Sequence, residues 1–183
     1  MNWKIRSTKH IIKDKWISLR ADSCILPDGK VIEPFYVLEY PDWVNIVPIT
    51  PDNEVILVKQ YRHGIKRTIL EIPCGAIESS NRSPLDAAKR ELLEETGYSS
   101  DELFELCKLS PNPANYTNTT HCFMARNVIK NTQQTLDPTE QIEVLKITLP
   151  EVLSLLKNNQ IPQALHASAL FYAFEYLRDN QLS

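Results

Sequence analysis

What this chain lacks narrows it before any motif is read. No apolar run approaches the ~20 residues needed to cross a bilayer: VILV at 55–58 and SALFYAF at 168–174 are core-sized. The N-terminus, MNWKIRSTKHIIKDK, alternates charged with apolar residues. It has neither an unbroken apolar stretch nor a small-residue cleavage site, so it reads as no secretion signal, and a cytoplasmic protein without membrane contact is expected. A basic excess is missing too: 20 Lys and Arg against 23 Asp and Glu leave a net charge of −3, which excludes the concentrated positive face that a nucleic-acid backbone demands. Cys24, Cys74, Cys107 and Cys122 are scattered, with no CxxC and no zinc spacing, so reduced thiols are expected. There is no internal repeat or low-complexity tract. The remainder is a 183-residue chain, 43% hydrophobic, long enough for one well-cored domain with a small appendage and suited to small ligands.

Strand signals fill the first half. KWISLRADSCIL and VIEPFYVLEY flank the Asp-Gly turn PDGK at 27–30, a hairpin cue. WVNIVPIT and EVILVKQYR flank PDNE at 51–54, which suggests a second hairpin, and RTILEIP at 67–73 extends the pattern. A helix is expected over 84–96: Ser83 is placed as N-cap, Pro84 as the first helical residue and Gly97 as the stop, with Leu85, Ala88, Leu92 and Thr96 at helical spacing. ELFELCKL and TTHCFMARNVI read as strands on either side of the loop SPNPANYTN, and IEVLKITL at 142–149 as another. PEVLSLLKNN and PQALHASALFYAFEYLRD close the chain as proline-opened helices. The fold class is α+β, a mixed sheet flanked by helices, with an N-terminal antiparallel β region over 1–40 and a main domain over 41–183.

The stretch KRELLEETGY is the informative one. Glu91, Glu94 and Glu95 lie on roughly one face of the helix and near its C-terminus, where the macrodipole disfavours negative charge. Arg90 is one turn from Glu94 and can balance it, leaving Glu91 and Glu95 without a local cation. A divalent cation such as Mg²⁺, held by a few carboxylates together with substrate phosphates, would supply one. The plain alternative is a solvated acidic face.

The flanks favour the first reading. EIPCGAIESSNRSPLDAAKRELLEETGY resembles the signature of the Nudix hydrolases, G-x5-E-x7-R-E-U-x-E-E-x-G-U with U apolar. Arg90-Glu91-Leu92 and Glu94 to Tyr98 match its second half and Gly75 its start. Two departures stand out: the segment from Gly75 to Arg90 is one residue longer than the pattern, and the first glutamate is replaced by Asn81 or Arg82. YPDWVNIVPIT, VILVKQYRHG, ILEIPCGAIE and PNPANYTN, with Pro111 and Pro113 beyond the box, look like the ADP-ribose pyrophosphatase branch.

That resemblance implies a Nudix-type fold and Mg²⁺- or Mn²⁺-dependent hydrolysis of ADP-ribose or a related nucleoside diphosphate sugar to a nucleoside monophosphate and a sugar phosphate. Glu91 and Glu95 would be metal ligands, Glu94 a further ligand or the partner of Arg90, and the Cys74 carbonyl another oxygen donor. Glu140 in LDPTEQIEV is the first choice for a catalytic base, then Glu143, then Asp137, each also readable as a surface acid. Arg62 would grip the diphosphate through its planar fork, or pair structurally with Glu71, which could instead hold the substrate ribose. Trp16 and Phe35 are candidate stacking surfaces for the base, or ordinary packing residues, and His63 beside Gly64 reads as a turn residue. The resemblance also implies a homodimer that shares its N-terminal strands. Two other functions remain open: a Nudix enzyme for another diphosphate, such as a dinucleoside polyphosphate or flavin dinucleotide, and a non-catalytic nucleotide sensor.

Overall fold

The computed structural model describes residues 2–181, and within them the chain forms two compact units. The first contains the residues up to Asp42 together with Ser110–Thr119. Its sheet runs β1 (Lys4–Lys13), β2 (Ser18–Ile25) and β3 (Val31–Leu38), all antiparallel, in that order. β2 and β3 are the hairpin expected around PDGK, and Gly29 takes the positive φ of 84° that its turn requires. β1 is an addition that hydropathy does not announce. All ten of its residues are exposed, so no buried face imposes an apolar alternation on KIRSTKHIIK. The proline-rich loop joins this unit through Leu38, whose N–H donates to the Asn115 carbonyl at 2.8 Å and whose carbonyl accepts from Thr117 N–H at 3.2 Å.

The second unit holds Trp43–Leu109 and the chain from Thr120 onward. Its elements are β4 (Trp43–Pro48), β5 (Glu54–Arg62), β6 (Arg67–Glu71), β7 (Cys74–Ala76), α1 (Pro84–Thr96), β8 (Tyr98–Ser99), β9 (Glu102–Leu109), β10 (Thr120–Arg126), β11 (Ile129–Lys130), β12 (Glu143–Thr148), α2 (Leu149–Lys157) and α3 (Ala164–Gln181). One sheet is ordered β7-β4-β10-β9, with β4 and β10 parallel, and another β12-β5-β6 is antiparallel; β8 and β11 form a short ladder. The α+β architecture is as expected, but the hairpin around PDNE is not. β4 and β5 enter different sheets, and across the turn between them there is an isolated bridge of Ile49 to Val55 rather than a ladder. A turn brings two strands together, whereas the choice of ladder depends on partners distant in sequence, here β10 for β4 and β12 for β5.

Both faces of the central strands are covered. Val44, Ile46, Ile56, Phe123 and Ala125 pack with Ala87, Ala88 and Leu92 of α1. Val47, Leu57 and Met124 pack on the opposite side with Val152, Leu156, Leu170 and Ala173 of α2 and α3. Adjacent residues thus point into different cores, which is why VILV is a continuous apolar run rather than an alternating one. No helix among the described residues is long and apolar enough to cross a membrane. The four cysteines are free thiols.

The helix ends are set locally. Ser83 Oγ accepts the Asp86 N–H at 3.1 Å, and Pro84 opens α1. The third helix departs from expectation, since Pro162 lies outside it and Gln163 performs the capping, its side-chain oxygen accepting the His166 N–H at 3.1 Å. Gly97 ends α1 at φ 75°, donating its N–H to the Leu93 carbonyl at 2.8 Å. A Cβ there would also lie 2.2 Å from the Thr132 carbonyl oxygen. Gly97→Ala therefore carries both a left-handed penalty of about 1–2 kcal/mol and a clash. Denaturant unfolding of this variant should show a loss of at least ~1 kcal/mol; unchanged stability would contradict this account.

Candidate active site

The face that α1 buries is not wholly apolar. Ala87, Ala88, Leu92 and Thr96 are buried as a helical stripe requires, and Glu95 is buried with them at 5% exposure. Its Oε2 accepts the Cys74 backbone N–H at 3.0 Å. One turn earlier, the Glu91 carboxylate lies against Gly75: a Cβ on that glycine would sit 1.9 Å from Glu91 Oε1. Gly75 is needed for space, because strand and helix approach so closely that the carboxylate occupies the volume of a side chain. The pairing of Val44 with Gly75 and Asn45 with Cys74 holds β7 in this position.

Arg90 anchors the helix to the preceding loop. Its Nη1 donates to Glu94 Oε2 at 2.7 Å, and its Nη2 donates to Glu91 Oε1 at 2.8 Å and the Ala76 carbonyl at 3.1 Å. Glu91 thus has a local cation that the one-turn spacing of Arg90 and Glu94 did not reveal, and Glu95 is the carboxylate of this cluster for which no ion pair is found among the described residues. The two departures in the loop separate cleanly. Asn81 Oδ1 accepts the Glu78 N–H at 2.9 Å and reaches Arg90 Nη2 at 3.5 Å. Arg82 turns outward, 87% exposed, and pairs with Asp86 at 2.9 Å. Asn81 therefore stands beside the box arginine, whereas Arg82 faces solvent.

Burial pushes the Glu91 carboxyl up to about 7 against the pull of Arg90, and Glu95 up to about 8 against the hydrogen bond from Cys74. The charge of Glu140 raises both. Glu140 is thereby tied electrostatically to the cluster from a loop far away in sequence. Its own carboxylate accepts the Asp137 N–H at 3.1 Å, so Asp137 contributes backbone to that turn. Glu143 instead pairs with Lys59 at 3.0 Å.

Hard oxygen donors, two of them in desolvated carboxyl groups, fit Mg²⁺ or Mn²⁺. The volume beside Gly75 that admits Glu91 is part of that fit. No three acidic, His or Cys side chains among the described residues form a ready cage.

Behind the cluster, Glu71 is almost completely buried and accepts Arg62 Nε at 2.8 Å and Nη2 at 2.7 Å on one oxygen, Oε2. Arg62 also reaches Cys74 Sγ at 3.8 Å. The structural pairing of Arg62 with Glu71 is present, and the Arg62 side chain is 38% exposed. His63 sits in the turn between β5 and β6, where its carbonyl accepts the Lys66 N–H at 3.1 Å. Trp16 and Phe35 belong to the N-terminal unit. Trp16 is 80% exposed with Lys15 Nζ over its ring at 4.6 Å, while Phe35 meets Trp3 edge-on at 5.5 Å. His166, beside Glu71, is a polar residue that sequence reasoning missed, since one histidine in an apolar helix carries no signal of its surroundings.

Comparison with known proteins places these features in a family. Residues 39–168 match the NUDIX domain, and residues 3–38 match the nucleoside diphosphate sugar hydrolase N-terminal domain. An ADP-ribose pyrophosphatase from Bacillus subtilis (strain 168) is 31% identical over 176 residues, covering 96% of this chain and 92% of that protein. The methanol dehydrogenase activator of Bacillus methanolicus is 29% identical with the same coverage. The ADP compounds hydrolase NudE of Escherichia coli (strain K12) is 30% identical over 74% of this chain and 71% of its own. A crystal structure of an ADP compounds hydrolase shares the fold, with a TM-score of 0.87 at 24% identity, over 98% of this chain and 96% of that one.

The raised carboxyl groups make stability depend on pH. An acid whose folded value exceeds the 4.5 of the free side chain binds its proton more tightly when folded. Its burial costs little below about pH 4.5, progressively more up to about pH 8, and a constant amount above that. In EDTA, the stability of Glu95→Gln relative to the unaltered protein should rise by on the order of 2–4 kcal/mol across this window. A pH-independent difference in denaturant unfolding would refute the burial argument.

Proposed function

Since the chain belongs to the Nudix hydrolases, we propose that it cleaves the diphosphate bond of ADP-ribose or a related nucleoside diphosphate sugar to a nucleoside monophosphate and a sugar phosphate. The observation that carries this reading is the pair of desolvated carboxyl groups, Glu91 and Glu95, one helical turn apart and packed on Cys74 and Gly75. Glu91 and Glu95 would hold Mg²⁺ or Mn²⁺, with Glu94 and the Cys74 carbonyl as additional oxygens. When bound, the cation neutralises diphosphate oxygens and acidifies water. Arg62, braced by Glu71, grips the diphosphate through its outer edge. Glu140 accepts a proton from the attacking water as the new phosphorus–oxygen bond forms and the bridging bond breaks. Arg90 orients Glu91 and Glu94 without reacting.

The N-terminal unit fits the closing role in a homodimer. Its edge strand β1 is exposed along its full length, and Trp3, Ile5, Ile11 and Ile12 on or beside it are large, exposed and apolar. Such an edge invites pairing, and a second copy of the chain would cover it. Trp16 and Phe35, on the same unit, offer stacking surfaces for the nucleobase.

Incubation with ADP-ribose and Mg²⁺ should yield AMP and ribose 5-phosphate, and EDTA should abolish the reaction. Glu95→Gln, folded and nearly unchanged in helix propensity, should lose at least ~100-fold in kcat, the scale expected when a catalytic electrostatic group is removed. Turnover of flavin dinucleotide or dinucleoside polyphosphates in preference to ADP-ribose would overturn the substrate assignment, and binding without turnover of any of them would make the protein a sensor. Sedimentation equilibrium should show a dimer; a monomer at all concentrations would remove the shared-strand role.

A further inference from the structure

We propose that His166 is a positioning residue for the substrate: through Glu71 it aims the Arg62 guanidinium that receives the diphosphate. The proposal rests on the function assigned to Arg62 above and extends it one residue deeper.

His166 lies in the first turn of α3, only 2% exposed, and its backbone N–H is fixed by the Gln163 side chain at 3.1 Å. Its Nδ1 is buried without a hydrogen-bond partner. The facing group is Glu71 Oε1, 3.9 Å away, which is beyond hydrogen-bond range. Glu71 divides its two oxygens accordingly. Oε2 takes both N–H donors of Arg62, whereas Oε1 is turned to the imidazole. Burial, reinforced by the nearby Arg62 charge, pushes the imidazole down to about 3, so the ring is neutral and presents one donor and one acceptor.

A buried polar atom without a partner is costly, and ordinary core packing would replace this histidine by an apolar residue. With the proton on Nδ1, a small inward movement of Glu71 closes the hydrogen bond. Glu71 is then held on both oxygens, and Arg62, carried on its Oε2, is fixed in rotation. A planar fork gains more from such fixation than a point charge, because the N–H groups of its outer edge must meet phosphate oxygens together.

The test uses the full-length protein and ADP-ribose binding by calorimetry in EDTA, with KM and kcat in Mg²⁺ as a second readout. His166→Leu preserves bulk and removes the donor, and it should weaken binding about tenfold with the loss in KM rather than kcat. His166→Asn, whose amide nitrogen can stand near the position of Nδ1, should recover most of the affinity. His166→Gln, whose amide reaches the Nε2 position, should not; this pair of polar variants decides the matter if His166→Leu fails to fold. In an Arg62→Ala background, the change at His166 should add less than about twofold, because the two act in series. Wild-type affinity in folded His166→Leu, equal affinities of the Asn and Gln variants, or a full tenfold effect without Arg62 would each overturn the proposal. If ADP-ribose does not bind the unaltered protein, or Arg62→Ala binds it normally, the assignment of Arg62 fails and that of His166 falls with it.

Discussion

The close approach of the C-terminal half of α1 to β7 is the constraint on which this structure depends. It exists because Gly75 lacks a Cβ, so that Glu91 lies against the strand, and because Cys74 offers its N–H to Glu95. The same approach takes both carboxyl groups out of water and raises their proton affinity. Negative charge is concentrated there against both desolvation and the helix dipole. Ionising both groups is therefore achieved at the expense of local stability.

Everything around this contact keeps it rigid. α1 is anchored underneath by Ala87, Ala88 and Leu92, stopped by Gly97 against the Thr132 carbonyl, and tied forward to the loop through Arg90 and the Ala76 carbonyl. β7 is held by β4, a strand covered on both sides. A second polar layer, Arg62 with Glu71 and His166, lies adjacent through Cys74. The layers differ in character: carboxylate oxygens dominate one, and the Arg62 guanidinium paired with Glu71 the other.

The departures from the family signature fall in the loop before α1. The first glutamate of the box is absent, yet Arg90 retains two carboxylates and a carbonyl as acceptors, with Asn81 close by. The additional residue is absorbed in the loop before α1, where Arg82 and Asp86 pair in solvent. An exposed pair of this kind contributes ~0–1 kcal/mol.

The sequence alone determined what short-range chemistry specifies: α1 and its caps at Ser83 and Gly97, the β2–β3 hairpin with its Asp-Gly turn, the α+β class, and the Nudix box with its three glutamates. Each rests on residues within one or two turns of one another. Tertiary structure decided what depends on partners distant along the chain. It sent β4 and β5 to different sheets although a short turn joins them, and made a strand of Lys4–Lys13 without an apolar face. It also gave Glu91 a cation in Arg90, separated the roles of Asn81 and Arg82, brought the charge of Glu140 to bear on Glu91 and Glu95, and set His166 against Glu71. Burial and charge proximity are properties of the packed chain: the same glutamate is a solvated surface acid or a desolvated carboxyl group according to whether a glycine 16 residues earlier lets the backbone come close.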